Sequence, residues 1–267
     1  SGFVERLSET LKKGTVADAL KLYDTVPAQF ADDFDLLFLK ASLLVSAGKF
    51  DDAKTICTSL HERDPENTDV LELSAVIAKA QGNTAERNTQ ISALLAKDPN
   101  NASANIALAE DAMMQRSYKK AKNLYVKALT NDPSNEQALL GYGQVCYFTE
   151  DDDIAESTFN KLIAQNPEND QAFYYLGKLQ AAQNKYKVAA DNVAKAIELD
   201  ATNYDYYLEY GMDLRYMGKF DDAAIAWTKA IALEPDYFLG YVYRAGLYDE
   251  QNLFDKALSD YRMVVQL

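Results

Sequence analysis

Few residues in this chain have the types and spacing that covalent chemistry needs. His61 is the sole histidine, and no serine or cysteine motif pairs with it to make a nucleophile and its base. It falls near the end of an amphipathic helical stretch, where it reads as a surface residue. Cys57 and Cys146 sit in apolar stripes far apart in the chain. They read as reduced, packed thiols, which leans toward a reducing, cytoplasmic compartment without excluding export. No pair of cysteines or histidines has metal-ligand spacing, and neither a calcium loop nor a glycine-rich phosphate loop occurs, so no metal and no cofactor is expected. The densest acidic run, Glu150-Asp151-Asp152-Asp153, reads as a solvated turn whose carboxylates favour the start of the next helix. Its functional alternative is weak contact with a cation or a basic peptide. Arg116-Ser117-Tyr118-Lys119-Lys120-Ala121-Lys122 is a small basic patch on an outer helix face. What remains is recognition rather than catalysis.

Charge narrows what could be recognised. The net charge is −14 over 267 residues, which argues against sequence-independent nucleic-acid binding, because that rests on Lys and Arg neutralising phosphates. The imbalance is uneven: residues 1–133 carry 16 Lys+Arg against 19 Asp+Glu, and residues 134–267 carry 11 against 22. A basic partner near the C-terminal half is the functional reading; acidic faces that confer solubility are the plain one. No run of 18 apolar residues exists, so no membrane span is expected. Ser1-Gly2 reads as a cloning remnant, so a missing leader is not taken to exclude export.

The elements that must position any site follow from a period. Alanine returns every 34 residues at Ala19, Ala53, Ala121, Ala155, Ala189, Ala223 and Ala257, with Arg87 interrupting. Pro65, Pro99, Pro133, Pro167 and Pro235 keep the step, as do Asn67, Asn101, Asn135, Asn169 and Asn203. Such a period means stacked supersecondary units rather than one globular core. The register gives a single array of eight units: 1–33, 34–67, 68–101, 102–135, 136–169, 170–203, 204–237 and 238–267. Each reads as two short amphipathic helices. Small residues (the alanines, with Gly143, Gly177 and Gly211) let the two helices approach closely. Tyr23, Tyr125, Phe159, Trp227 and Tyr261 then fill the space beside the contact. Gly48, Gly82 and Gly218 suit left-handed helix ends, the asparagines suit N-caps, and the prolines stop the preceding helix.

Gly218-Lys219-Phe220-Asp221-Asp222-Ala223, echoed by Gly48-Lys49-Phe50-Asp51-Asp52-Ala53, closely resembles the turn into the second helix of the tetratricopeptide repeat family, and the resemblance runs over the whole chain. It implies an all-α fold, a right-handed superhelix of stacked antiparallel helix pairs whose first helices line a concave groove. Projecting the family's groove positions gives Phe38, Ser42 and Val45; Glu72 and Lys79; Ile106, Glu110 and Met113. Further on they are Leu140, Gln144 and Tyr147; Tyr174, Tyr175 and Lys178; then Leu208, Met212 and Arg215. This mixture of apolar anchors and a few polar groups suits a peptide. Of 18 tyrosines, 15 lie beyond residue 134; Tyr207, Tyr210 and Tyr261 are expected in the core. Family members that clamp chaperone carboxylates place a lysine and an asparagine one turn apart. Val4 and Ser8, or Phe38 and Ser42, stand there instead, so no such clamp is expected.

Two departures stand out. Arg87 and Thr84 replace the small and aromatic residues of their unit, so Arg87 is expected to snorkel outward or widen the crossing and soften that joint. The last helix bears Leu258, Tyr261, Val264, Val265 and Leu267 with no polar cap after it. Either the natural chain continues, the favoured expectation, or a partner or second copy covers this surface. The leading expectation is a non-enzymatic scaffold that binds a protein segment in its groove. The alternatives are a self-assembler that stacks through the C-terminal helix, giving a homo-oligomer, and the array of a larger enzyme.

Overall fold

The computed structural model describes residues 2–267; Ser1 lies outside the described residues. The chain forms two compact units, one ending at Asn105 and the other spanning Ile106–Leu267. Every regular element among the described residues is helical. The first unit holds α1 (Phe3–Lys13), α2 (Val16–Leu22), α3 (Phe34–Ser46), α4 (Phe50–Arg63), α5 (Thr68–Ala80) and α6 (Thr84–Lys97). The division falls within α7 (Ala102–Met114). The second unit continues with α8 (Tyr118–Asn131), α9 (Glu136–Phe148), α10 (Asp152–Gln165), α11 (Asp170–Ala182) and α12 (Tyr186–Leu199). It ends with α13 (Tyr204–Tyr216), α14 (Phe220–Leu233), α15 (Phe238–Glu250) and α16 (Phe254–Gln266). Within each unit a helix packs on its chain neighbour and, for the first helices of pairs, on the next but one.

The alanine column does what its period requires. Ala19, Ala53, Ala121, Ala155, Ala189 and Ala223 are fully buried, and Ala257 nearly so. The glycines opposite work somewhat differently from expectation. A methyl group on Gly143 would stand 2.5 Å from the Phe159 ring, and one on Gly211 2.4 Å from the Trp227 indole. These two glycines therefore make room for an aromatic ring of the paired helix, whereas a methyl group on Gly177 would meet the Val193 side chain at 2.7 Å and the Ala189 carbonyl at 3.1 Å, the close backbone approach expected. Trp227 is fully buried and donates its indole N–H to the Leu208 carbonyl at 3.1 Å, which satisfies its one polar atom.

Helix ends follow the connectors. Asn67, Asn101, Asn135 and Asn169 each accept the backbone N–H three residues on, and Asn203 that of Asp205, two on. The residue that closes each first helix is left-handed at Gly48, Gly82 and Gly218, and equally at Arg116, Glu150, Asn184 and Asn252. All seven keep the step of 34, so the turn is imposed by position and only three units use the residue that adopts it most cheaply. Long side chains at the second-helix ends tie consecutive pairs: Arg63, Lys97 and Gln165 donate to the carbonyls of Asp32, Glu66 and Ser134.

Three expectations change. The second helix of the first pair, α2, has only seven residues and gives way to short 3₁₀ turns at Tyr23–Thr25 and Ala28–Phe30. Pro27 stands where α4 has His61, forcing Val26 out of the helical region (ψ 128°). Arg87 does not snorkel outward: it is 7% exposed and has a polar partner, which offsets part of the cost of burying a guanidinium. Tyr261 is 41% exposed rather than core. Its counterparts Tyr125, Phe159 and Trp227 lie under a following helix, whereas α16 packs on α15.

Candidate functional site

In the second unit the first helices bring several expected groove residues together. Glu110, Met113, Leu140 and Gln144 line one cavity of about 240 Å³, with Tyr125, Gln137, Gly141 and Gln171 completing it. Gly141 is what lets the cavity floor exist, since a methyl group there would meet the Tyr125 ring at 2.2 Å. Gln137 donates to Glu110. Burial pushes the Tyr125 hydroxyl up to about 12, and the Glu110 carboxylate adds to the shift, so Tyr125 stays a neutral donor or acceptor. A lining of amides, one carboxylate and two apolar side chains can hold a backbone by hydrogen bonds while seating a side chain.

Beyond it lies a cluster on α9, α11 and α13. The rings of Tyr147, Tyr174 and Tyr175 meet edge to face, with centroids 6.5 Å apart for Tyr147–Tyr175 and 5.1 Å for Tyr174–Tyr175. Tyr175 stacks on Phe159 at 6.0 Å. The Lys178 ammonium lies 5.4 Å from the Tyr174 centroid and 5.9 Å from that of Tyr147, within reach of both π-systems. Burial pushes Tyr174 and Tyr147 upward, and the Glu209 carboxylate contributes in both cases. Behind them the buried Tyr206 donates its hydroxyl to Asp170.

Glu209 and Asp213, one turn apart on α13, were not among the expected site residues. Asp213 is fully buried, and the one polar side chain its carboxyl meets is the carboxyl of Glu209. Burial, then the negative charge of Glu209, then contact between the two carboxyls push Asp213 up to about 9. Burial pushes Glu209 upward too, opposed by the positive charge of Lys178 and by the contact with Asp213. At neutral pH the pair therefore holds one proton and one negative charge between its two carboxyls. The sequence did carry a signal. Stepping by 34 from Leu43 reaches Ile77, Asp111, Val145, Leu179, Asp213 and Leu247. The five apolar members are all buried, Asp111 is half-buried and partnered, and Asp213 alone is a fully buried acid.

The remaining projections divide. Ile106 (4% exposed) and Leu208 (8%) are core residues, not groove residues. Leu140 and Tyr174, at the same step of 34, are only half-buried, whereas Leu208 packs in the core around Trp227. Met212 is half-buried against that same core, and Arg215 is ion-paired with Glu250. In the first unit Phe38 and Val45 are half-buried against the core of α3–α5. The Ser42 hydroxyl is spent on the Phe38 carbonyl, Glu72 accepts from Asn101, and Lys79 is exposed. On α16, Leu258, Val265 and Leu267 are exposed and Val264 is half-buried.

The residues first weighed for catalysis meet in unexpected ways. Cys57 and His61 line a cavity of about 200 Å³ with Ser74 and Glu86, but burial pushes the Cys57 thiol up against the opposing Ser74 contact. A thiol held neutral is a packed side chain rather than a nucleophile. The acidic run is not simply a solvated turn: Asp151 is ion-paired with Lys122 of the basic patch and accepts from the Thr149 hydroxyl at 3.1 Å. Both cysteines are free and buried. No helix among the described residues is long and apolar enough to cross a membrane.

Comparison with known proteins follows the same lines. Sequence profiles described as tetratricopeptide repeat match residues 11–77 and 112–179, and a further profile of the same description matches 208–267. No curated protein matches in sequence. Among solved structures, a chain of the APC/C hetero-tetramer Cut9-Hcn1 superposes with TM-score 0.72 at 14% identity, over 99% of this chain and 52% of that one. Pseudomonas aeruginosa PilF gives 0.70 at 18%, over 80% and 97%. YrrB, described as a TPR protein with an unusual peptide-binding site, gives 0.53 at 23%, over 66% and 91%. At these identities the likeness concerns the fold, the all-α superhelical repeat.

Proposed function

Since the chain belongs to the tetratricopeptide repeat family, we propose that it is a non-enzymatic interaction scaffold, and that the first-helix face of its second unit binds a peptide or protein segment. The observation that carries this reading is the cavity where Glu110, Met113, Leu140 and Gln144 converge. It offers apolar depth and amide hydrogen bonding on rigid helices, so binding spends little on ordering the receptor. The likeness to YrrB supports the reading by analogy of fold.

Selection from a displayed random-peptide library tests it. Peptides recovered on the wild-type protein should lose binding to a Met113→Arg, Gln144→Arg double variant of unchanged helicity. Peptides that bind both proteins alike would place the site elsewhere. A second reading rests on α16, where Phe254, Val265 and Leu267 are 60%, 86% and 51% exposed. A second copy stacked there would give a mass that rises with concentration in light scattering and is lost in Val264→Lys with Leu267→Lys. A mass independent of concentration would remove that reading.

A further inference from the structure

Cys57 and Ser74 are small where the sister units are large. At the step of 34, Cys57 corresponds to Tyr23, Tyr125, Phe159 and Trp227, and Ser74 to Lys40, Tyr142, Leu176 and Arg244. Each is the smallest side chain of its column; Val193 and Ile91, the next in the first column, are still branched. Three units on, Phe159, Leu176 and Leu179 pack together in one core. Their counterparts Cys57, Ser74 and Ile77 line the cavity of about 200 Å³ instead, and the absent ring and absent branched chain account for the space. A cavity of about 150 Å³ holds a benzene molecule, so this one has room for a ring with a substituent. Its walls are α4, α5 and α6, and no expected groove residue is among them.

We infer that this cavity is a second binding site of the chain, which takes a neutral aromatic ring bearing a hydrogen-bonding group, such as a phenol or an indole. The site is independent of the groove reading. Cys57 and Ile77, each 2% exposed, give the ring an apolar floor, where three units on Phe159 supplies its own. Thr58, His61 and Gln90 bring a hydroxyl, an imidazole and an amide to the wall. These answer the polar group that such a ring must keep satisfied when it leaves water. Lys54 and Glu86, also on the wall, answer each other at 3.1 Å. A ligand carboxylate or ammonium would have to compete with that pair, so the site prefers a neutral ring. A free molecule and the tyrosine or tryptophan side chain of a partner offer the same chemistry.

The test follows the Ile77 methyl resonance of the isoleucine-labelled protein by NMR during titration with p-cresol, toluene and p-toluate. With p-cresol the resonance should move along a saturable curve, and p-cresol should bind several-fold more tightly than the other two. Cys57→Phe supplies the ring from within. It should abolish that saturable movement and raise the melting temperature, as the filling of a void does. Ser74→Leu, which installs the residue of Leu176, should weaken p-cresol about tenfold, and it carries the test if Cys57→Phe does not fold. No saturable movement of Ile77 with any of the three overturns the site, as does undiminished binding of p-cresol in a folded filled variant. Equal binding of toluene overturns the role of the polar wall, and preference for p-toluate overturns the preference for a neutral ring. N-acetyltyrosinamide separates the two sources. If it binds as p-cresol does, a side chain can enter with its backbone outside and a partner supplies the ring; if p-cresol alone binds, the ligand is a free molecule.

Discussion

Asp213 and Asp260 are both carboxylates inside apolar helix packing, 0% and 4% exposed, yet they occupy opposite situations. Asp260 receives the Arg244 guanidinium as a fork, Nε to Oδ2 at 2.8 Å and Nη2 to Oδ1 at 2.6 Å. The same guanidinium also donates to the Thr228 hydroxyl. Asp213 has for a partner only a second carboxyl, that of Glu209. One buried acid is held by a counter-ion; the other is held by a proton beside a second acid. The first fixes α16 on α15, and the second is a cost to the stability of the fold.

The largest effect that could sharpen this contrast is Asp260→Ala. It leaves the half-buried Arg244 without its counter-ion, and the expected loss is about 3–5 kcal/mol in chemical denaturation. A loss under about 1 kcal/mol would make the pair equivalent to a surface bridge and dissolve the distinction. Asp213→Leu should act in the opposite sense. It restores the column of Leu179 and Leu247 and should raise stability by about 2–4 kcal/mol. Destabilisation would mean that Asp213 is satisfied after all.

The pH dependence follows with a definite sign. Asp213 keeps its proton in the folded chain up to about 9, whereas the unfolded carboxyl ionises near about 4. The unfolded state therefore binds fewer protons across that window. The stability that protonated Asp213 confers is complete below about pH 4 and is lost at up to about 1.4 kcal/mol per unit as the pH rises toward 9. Asp213→Asn should flatten the curve while Glu209 and the general excess of acid leave a residual slope. Melting temperatures from pH 5 to 8 on both proteins settle this, and parallel curves would refute it.

The smallest effect calibrates the others. Glu150 is left-handed (φ 62°) where three sister units have glycine. Glu150→Gly should gain about 1 kcal/mol with no change in pH profile. A larger gain would mean that turn strain rivals buried charge in this array.

The residues that recur are the ones whose roles could be read from sequence. The alanine column and asparagine caps each do one job in every unit, so repetition alone exposes it. What escaped depends on how far a particular side chain reaches. Ile106 and Leu208 are buried in a column whose Leu140 and Tyr174 are only half-buried, and Arg87 is buried where an outward side chain was expected. Asp213 is instructive because its column was readable: an acid among Leu43, Ile77, Val145, Leu179 and Leu247 is visible as an exception. That Glu209 would lie half-buried between it and Lys178 was not, since neither periodicity nor composition says which carboxyl meets which ammonium.

The restriction of helix packing to near neighbours in the chain has a consequence for how this protein comes into being. Contacts that close short loops are made quickly, and a helix pair needs only the pair before it to bury its apolar stripe. Each pair can therefore settle while the next is still being synthesised, and the polypeptide need not wait for its far end to begin folding.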